Sequence, residues 1–154
     1  MKTFTDAAGR TWTISLTIDA VKRVRDLLNV NLLEPESGDP PLITHIGTDV
    51  IMMVDIIYCL IKPQAELQNI TDAEFGQALG GEAVKSACDA FYAEMIDFFR
   101  GSGRTDRVKA IEKQTQIIGL AVSRAEAEIN QFEIGPVLDR MFGNLSSVSP
   151  GPSA

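Results

Sequence analysis

Apolar residues recur at helical spacing along most of this chain, but the first seventeen residues alternate instead. Residues 3–5 and 11–17 are rich in threonine and in aromatic or β-branched residues, with Gly9 in the short segment between them. Glycine supplies the positive φ that a tight turn needs. The pattern therefore predicts a β-hairpin over residues 1–17. The residues expected on its apolar face are Phe4, Trp12, Ile14 and Leu16.

After the hairpin, apolar residues return at steps of three and four, which predicts helices. Thr71 and Glu74 have the spacing of a capping box, which indicates where one of these helices begins. A strongly apolar helix is expected to stop before Pro63, because proline has no N–H for the helix ladder. We therefore expect a mainly α fold, an N-terminal β-hairpin followed by a bundle of about four to five helices and a flexible C-terminal tail. The helices are predicted at about 19–29, 50–62, 72–79, 82–100 and 106–130.

Two polar stretches suggest the domain organisation. Gly101 to Gly103 separates the last two predicted helices and is interpreted as a C-cap and hinge. Residues 144–154 are rich in serine and proline, a composition typical of disorder. We therefore expect one helical domain over residues 1–143, with the hairpin at 1–17, followed by a tail at 144–154.

Composition and charge narrow the function classes. The chain has 154 residues, of which 45% are hydrophobic and 23% charged, as in soluble globular proteins. Its net charge of −7 argues against a general nucleic-acid or anionic-membrane binder. No apolar run follows Lys2, so no secretory signal is predicted, and the apolar segment Val50–Ile61 is shorter than a membrane span. We expect a cytoplasmic protein with Val50–Ile61 as its core helix.

The scarcity of chemically reactive residues argues against an enzyme. The chain has one histidine, His45, and two cysteines, Cys59 and Cys88, which is too few for most zinc sites. Both cysteines are interpreted as small core residues, although the sequence leaves a single disulfide between them open. Glu94 and Asp97, three residues apart, are interpreted as a solvated helix face and not as a general acid/base pair. No catalytic, cofactor-binding or metal-binding residue is predicted.

A local basic cluster lies at the start of the last predicted helix. It could bind an acidic partner or RNA, but Asp106 and Glu112 offset its charge and no aromatic residues are interleaved. A solvated face is the favoured interpretation, and nucleic acid is the weaker one. The cluster consists of Arg100, Arg104, Arg107, Lys109 and Lys113.

The same helix carries a narrow apolar seam with the alternating spacing of a coiled coil. Together with the apolar segment 132–142, it gives more apolar surface than one small helical domain buries easily, and exposed apolar surface marks partner sites. The alternative left open is that the seam pairs inside the chain with the 82–100 helix. The predicted partner-binding residues are Val108, Ile111, Ile118, Val122 and Ile129 of the seam, with Arg104 and Arg107.

The order of these elements resembles that of small phage tail proteins of the tail assembly chaperone kind. The segments that carry the resemblance lie between Phe4 and Phe99 and read FTDAAGRTWTISLTI, DAVKRVRDLL, VIMMVDIIYCLIKP and ITDAEFGQAL. The resemblance implies a protein without catalytic residues or cofactors that binds tape-measure or tail-tube subunits during tail assembly in the host cytoplasm. Self-association is a further possibility for the same surface. The alternative hypothesis is a bacterial helical adaptor or regulator that binds nucleic acid through Arg100–Lys113.

Overall fold

The computed structural model describes residues 1–132 and 134–142, and it is mainly helical behind an N-terminal hairpin, as the sequence predicts. Strands β1 and β2 pair antiparallel, with Phe4 opposite Trp12. Seven helices follow in the described residues, two more than the periodicity indicated. The strands are β1 (Lys2–Thr5) and β2 (Thr11–Ile14). The helices are α1 (Ile18–Leu28), α2 (Leu42–Thr48), α3 (Val50–Leu67), α4 (Asp72–Gln77), α5 (Glu82–Gly101), α6 (Thr105–Asn130) and α7 (Ile134–Met141).

Local sequence explains where several helices begin. The side chain of Thr17 accepts a hydrogen bond from the N–H of Ala20 at the start of α1. Asp49 does the same for Met52 at the start of α3. Thr71 accepts from the N–H of Glu74 at 3.1 Å, so the predicted cap of α4 is confirmed.

The prediction that the apolar helix ends before Pro63 is wrong, because α3 continues through this proline to Leu67. A proline inside a helix leaves the carbonyl four residues earlier without its donor. Here that carbonyl belongs to Cys59, and it accepts a hydrogen bond from Arg23 Nη1 at 2.9 Å. A side chain from α1 therefore replaces the missing backbone donor, and Pro63 itself is exposed.

The core lies around α3, which contacts α1, α2, α4, α5 and β2. Ile56, Ile57 and Ile61 of this helix are fully buried. The rings of Trp12 and Phe75 meet edge to face at 5.6 Å, and this contact joins the hairpin to α4. Burial of these apolar side chains is the main force that holds the hairpin and helices together.

A buried carboxylate organises the hairpin turn. Asp6 accepts hydrogen bonds from the N–H groups of Ala8 and Arg10 at 3.0 and 2.9 Å. It also accepts from Trp12 Nε1 at 2.8 Å, and Arg10 Nη1 lies 3.3 Å from it. Gly9 has a φ of 83°, which confirms that the turn needs a residue tolerant of positive φ.

The chain divides into two compact units, Met1–Gln116 and Ile117–Ala154, and the boundary falls inside α6. In the first unit, α6 contributes the buried residues Val108, Ile111 and Gln114. The tail predicted at 144–154 lies outside the described residues. Among the described residues, no single helix is both long enough and apolar enough to cross a membrane. Helices α2 and α3 meet these two criteria only when they are taken together, and a bend of 107° separates them.

Candidate interaction surface

In the described part of the second unit, most large apolar side chains are exposed. Of the side chains described between Ile117 and Phe142, none is buried. Eight large apolar residues in this stretch are between 48% and 69% exposed, and we call them the C-terminal apolar surface. They are Ile117, Leu120, Val122, Ile129, Phe132, Leu138, Met141 and Phe142.

Helical spacing places two residues of this surface, Val122 and Ile129, on one side of α6 together with Ile118 and Ala125. Ile118, Val122, Ala125 and Ile129 follow one another at steps of four, three and four, which places them on one face. We call these four residues the α6 stripe. Ala125, Ile129 and the following Phe132 line an open depression together with Glu128. The end of the stripe thus contributes to an open depression that is mostly apolar and has one carboxylate in its lining.

The first part of the predicted seam does not belong to this surface. Val108 and Ile111 are 7% and 0% exposed and form part of the core of the first unit. Gln114, also buried, accepts a hydrogen bond from the Thr44 hydroxyl at 2.8 Å. The structure therefore assigns Val108 and Ile111 to internal packing. Ile118 is half-buried, whereas Val122 and Ile129 are exposed.

The predicted arginines lie apart from the α6 stripe in sequence and are paired with carboxylates. Arg107 donates to Glu36 at 3.0 Å and lies over the Phe99 ring at 5.7 Å. Arg104 donates to Asp106 at 2.8 Å, and this hydrogen bond lowers the pKa of the Asp106 carboxyl to about 2. These ion pairs offset two of the positive charges that suggested a nucleic-acid site.

The third arginine of the cluster is offset in the same way. Arg100 lies 3.6 Å from a carboxylate oxygen of Asp97 and 3.8 Å from one of Glu112. Lys109 and Lys113 are exposed. A nucleic acid bound by counterion release needs several cations free to neutralise phosphates. Because three of the five basic residues are paired with carboxylates, the cluster has fewer cations available for phosphates than the sequence suggested.

The solvated face predicted for Glu94 and Asp97 is correct for Asp97, which is exposed, and wrong for Glu94, which is buried. Glu94 is 5% exposed and accepts a hydrogen bond from the N–H of Leu16 at 2.8 Å, as well as an ion pair from the Met1 ammonium group. Lys2 lies 2.8 Å from Asp97, and hydrogen bonding to Lys2 lowers the pKa of Asp97. The two carboxylates hold the hairpin against α5. Both carboxylates thus have a structural role in positioning the hairpin.

The single histidine and the two cysteines lie on three different helices, α2, α3 and α5. His45 is exposed on α2, and Cys59 and Cys88 are free thiols. Burial raises the pKa of both thiols, which disfavours the reactive thiolate. Among residues 1–132 and 134–142, no group of three or more histidine, cysteine or acidic residues is arranged to hold a metal ion.

Comparisons with models of protein families, with curated proteins and with solved structures found no match for this chain. The C-terminal apolar surface is the strongest candidate for a binding site, because it leaves apolar area in contact with water.

Sequence reasoning identified only part of this surface. Of its residues, the sequence predicts Val122 and Ile129 as binding residues, together with the half-buried Ile118, which lies outside the surface. The sequence indicates Phe132, Leu138, Met141 and Phe142 only as apolar excess. Gly135 and Pro136 interrupt the apolar pattern there and hide the helix. Proline is compatible with the first turn of a helix, and α7 begins shortly before it, at Ile134. The preference of proline for the first turn of a helix could therefore have indicated α7 from the sequence.

Proposed function

We propose that this chain is a non-enzymatic assembly protein of a phage or prophage tail, similar to tail assembly chaperones, and that it acts in the host cytoplasm. Its partner is a tape-measure or tail-tube subunit, which it binds through the C-terminal apolar surface. The observation that carries the proposal is the exposure of that surface: eight large apolar side chains between residues 117 and 142 are about half exposed or more. Soluble monomers rarely leave so much apolar area uncovered without a binding role.

The two units differ in how they bury their apolar side chains, which is consistent with the proposed function. Residues up to Gln116 include a well-packed core with fully buried aromatic residues such as Trp12 and Phe91. In the described part of the following unit, the C-terminal apolar surface is exposed. A protein that covers an aggregation-prone partner during assembly needs a stable body and an accessible apolar face. The nature of the partner, a tail subunit, comes from the resemblance in residues 4–99.

Co-expression with a tape-measure protein and a tail-tube protein from the same gene cluster tests the proposal. The full chain is expected to keep at least one of them in the soluble fraction and to co-purify with it. The variant Val122→Glu/Ile129→Glu is expected to lose this effect, because two charges would then enter an apolar contact. Both side chains are exposed in the free chain, so the fold should survive, which circular dichroism would check.

The matched control is Val50→Glu/Ile51→Glu. These two residues are also exposed and apolar, at 55% and 72%, but they lie at the start of α3 in the first unit. Glutamate is well tolerated at a helix N-terminus, so the control should fold normally. The proposal is refuted if neither tail protein associates with the chain, or if both variants retain the association.

A further inference from the structure

The charges beside the α6 stripe indicate the chemistry of the segment that covers it. In heptad terms, Val122 and Ile129 occupy a positions, and Ile118 and Ala125 occupy d positions. The neighbouring e and g positions, which face a partner helix across the apolar contact, hold no basic residue. They are Gly119 and Ala121 in the first heptad and Glu126 and Glu128 in the second.

We propose that the α6 stripe binds an amphipathic helix of another protein whose apolar side is flanked by lysine or arginine. This inference rests on the proposed function and specifies the partner surface. Basic side chains opposite Glu126 and Glu128 would form ion pairs at the edge of the apolar contact, as e and g residues do in coiled coils. Both glutamates are exposed.

A second copy of the chain is a poorer occupant. Whether two copies pair parallel or antiparallel, the e and g residues of one helix meet e and g residues of the other. In this stretch they are glycine, alanine or glutamate, so Glu126 and Glu128 would meet a small residue or a like charge. Arg124 does lie 3.4 Å from Glu128, but this exposed pair on one helix contributes little and can exchange for a partner's base.

The depression near the end of α6 adds a steric requirement. Its lining consists of the small side chain of Ala125, the larger Ile129 and Phe132, and the carboxylate side chain of Glu128. A knob from a partner helix fits a hole of this kind when it is a large apolar residue such as leucine. The expected partner helix thus has large apolar residues such as leucine on its apolar side. A basic residue directly precedes or follows, in the partner's sequence, the residue that enters the depression.

Two designed heptad-repeat peptides serve as probes, both with leucine at a and d. One carries lysine at e and g, and the other carries glutamate. Binding of each fluorescently labelled peptide to the full chain is measured by anisotropy at low and moderate salt. The lysine peptide is expected to bind roughly ten-fold more tightly, and added salt should reduce the difference. Glu126→Lys/Glu128→Lys should reverse the preference.

The control for general attraction to an acidic chain is Glu66→Lys/Asp89→Lys. Both residues are exposed in the first unit and pair with a lysine one helical turn away, so the charge change is the same. This variant should keep the preference for the lysine peptide. A similar loss of preference in both variants would overturn the inference, because the attraction would then be nonspecific.

Three further results would also overturn it. Equal binding of both peptides would remove the charge requirement but leave the proposed function standing, provided that the chain still solubilises a tail protein. Binding of neither peptide would show that the stripe accepts no helix of this class. A dimer seen by sedimentation and abolished by Val122→Glu would assign the stripe to a second copy.

Discussion

Arg23 Nη1 donates a hydrogen bond of 2.9 Å to the carbonyl oxygen of Cys59, the group that Pro63 leaves without a helical donor. The same guanidinium lies 3.4 Å from the carbonyl of Leu60 and pairs through Nη2 with Asp19 at 3.0 Å. A buried carbonyl without a donor costs free energy, so one side chain from α1 lets a proline remain inside α3. The contact also joins the two helices.

This relationship predicts an interaction between two substitutions. Arg23→Ala should lower the free energy of unfolding by about 1–3 kcal/mol, because the Cys59 carbonyl loses its donor. In a Pro63→Ala background the loss should be smaller by about 1 kcal/mol, since the alanine would supply the missing backbone N–H. Urea denaturation of the two single variants and the double variant measures the coupling. Additive effects would show that Arg23 does not compensate for the proline.

Asp6 should be among the most sensitive residues of the hairpin. It is 5% exposed and accepts hydrogen bonds from two backbone N–H groups and the Trp12 indole. Asp6→Ala is expected to cost about 3–5 kcal/mol, because the buried Trp12 indole N–H and two partly buried backbone N–H groups would lose their acceptor. Asp6→Asn keeps one acceptor oxygen and should cost less. Thermal unfolding checks both variants, and an equal effect of the two would contradict this account.

The hydroxyl of Tyr92 is buried without a hydrogen-bond partner among the described residues. Tyr92→Phe should therefore leave stability at neutral pH unchanged or raise it by up to about 1 kcal/mol. Burial raises the pKa of Tyr92 from 10.0 to about 12, so the unfolded chain loses this proton first. Stability should then fall as the pH rises from 10 towards 12, and the fall should be smaller in the variant.

Denaturation measured across that pH range tests this prediction. Tyr58→Phe is the companion variant, because burial also raises the pKa of Tyr58 and contributes a decline of the same sign. An alkaline decline that is unaffected by Tyr92→Phe would place the titrating group elsewhere.

Two isoleucines of α3 provide a matched test of its central position. Ile57 is 0% exposed and Ile51 is 72% exposed, although both lie on the same helix. Ile57→Ala should cost about 2–5 kcal/mol, whereas Ile51→Ala should change stability by less than about 0.5 kcal/mol. Chemical denaturation of the two variants gives both values. A cost below about 1 kcal/mol for Ile57→Ala would mean that the core does not depend on this helix.

Local rules explain why much of the fold could be predicted. The hairpin depends on alternation and on Gly9, and the starts of α1 and α4 depend on Thr17 and Thr71. Each of these signals involves residues that are close in sequence. The continuation of α3 through Pro63 could not be predicted in this way, because its donor, Arg23, lies far away in sequence.

The same limit applies to the candidate surface. Periodicity places Ile111 and Ile118 on one side of α6 and does not distinguish them, yet Ile111 is fully buried and Ile118 only half so. The difference arises from the elements that pack against the first part of the helix. Glu94 is a second example, since its interaction with the N–H of Leu16 connects residues that are distant in sequence. Burial depends on contacts between elements that are distant in sequence, and the spacing of residues within one helix does not reveal those contacts.

The absence of buried side chains in the described part of residues 117–142 has a kinetic consequence. Amide protons in this stretch can exchange with solvent after a local helix opening that exposes no core, whereas those of α3 must await a larger unfolding event. Deuterium should therefore enter the end of α6 and α7 long before it enters the body of the chain. A ligand seated on these helices would slow that entry, and the protected amides would mark its footprint.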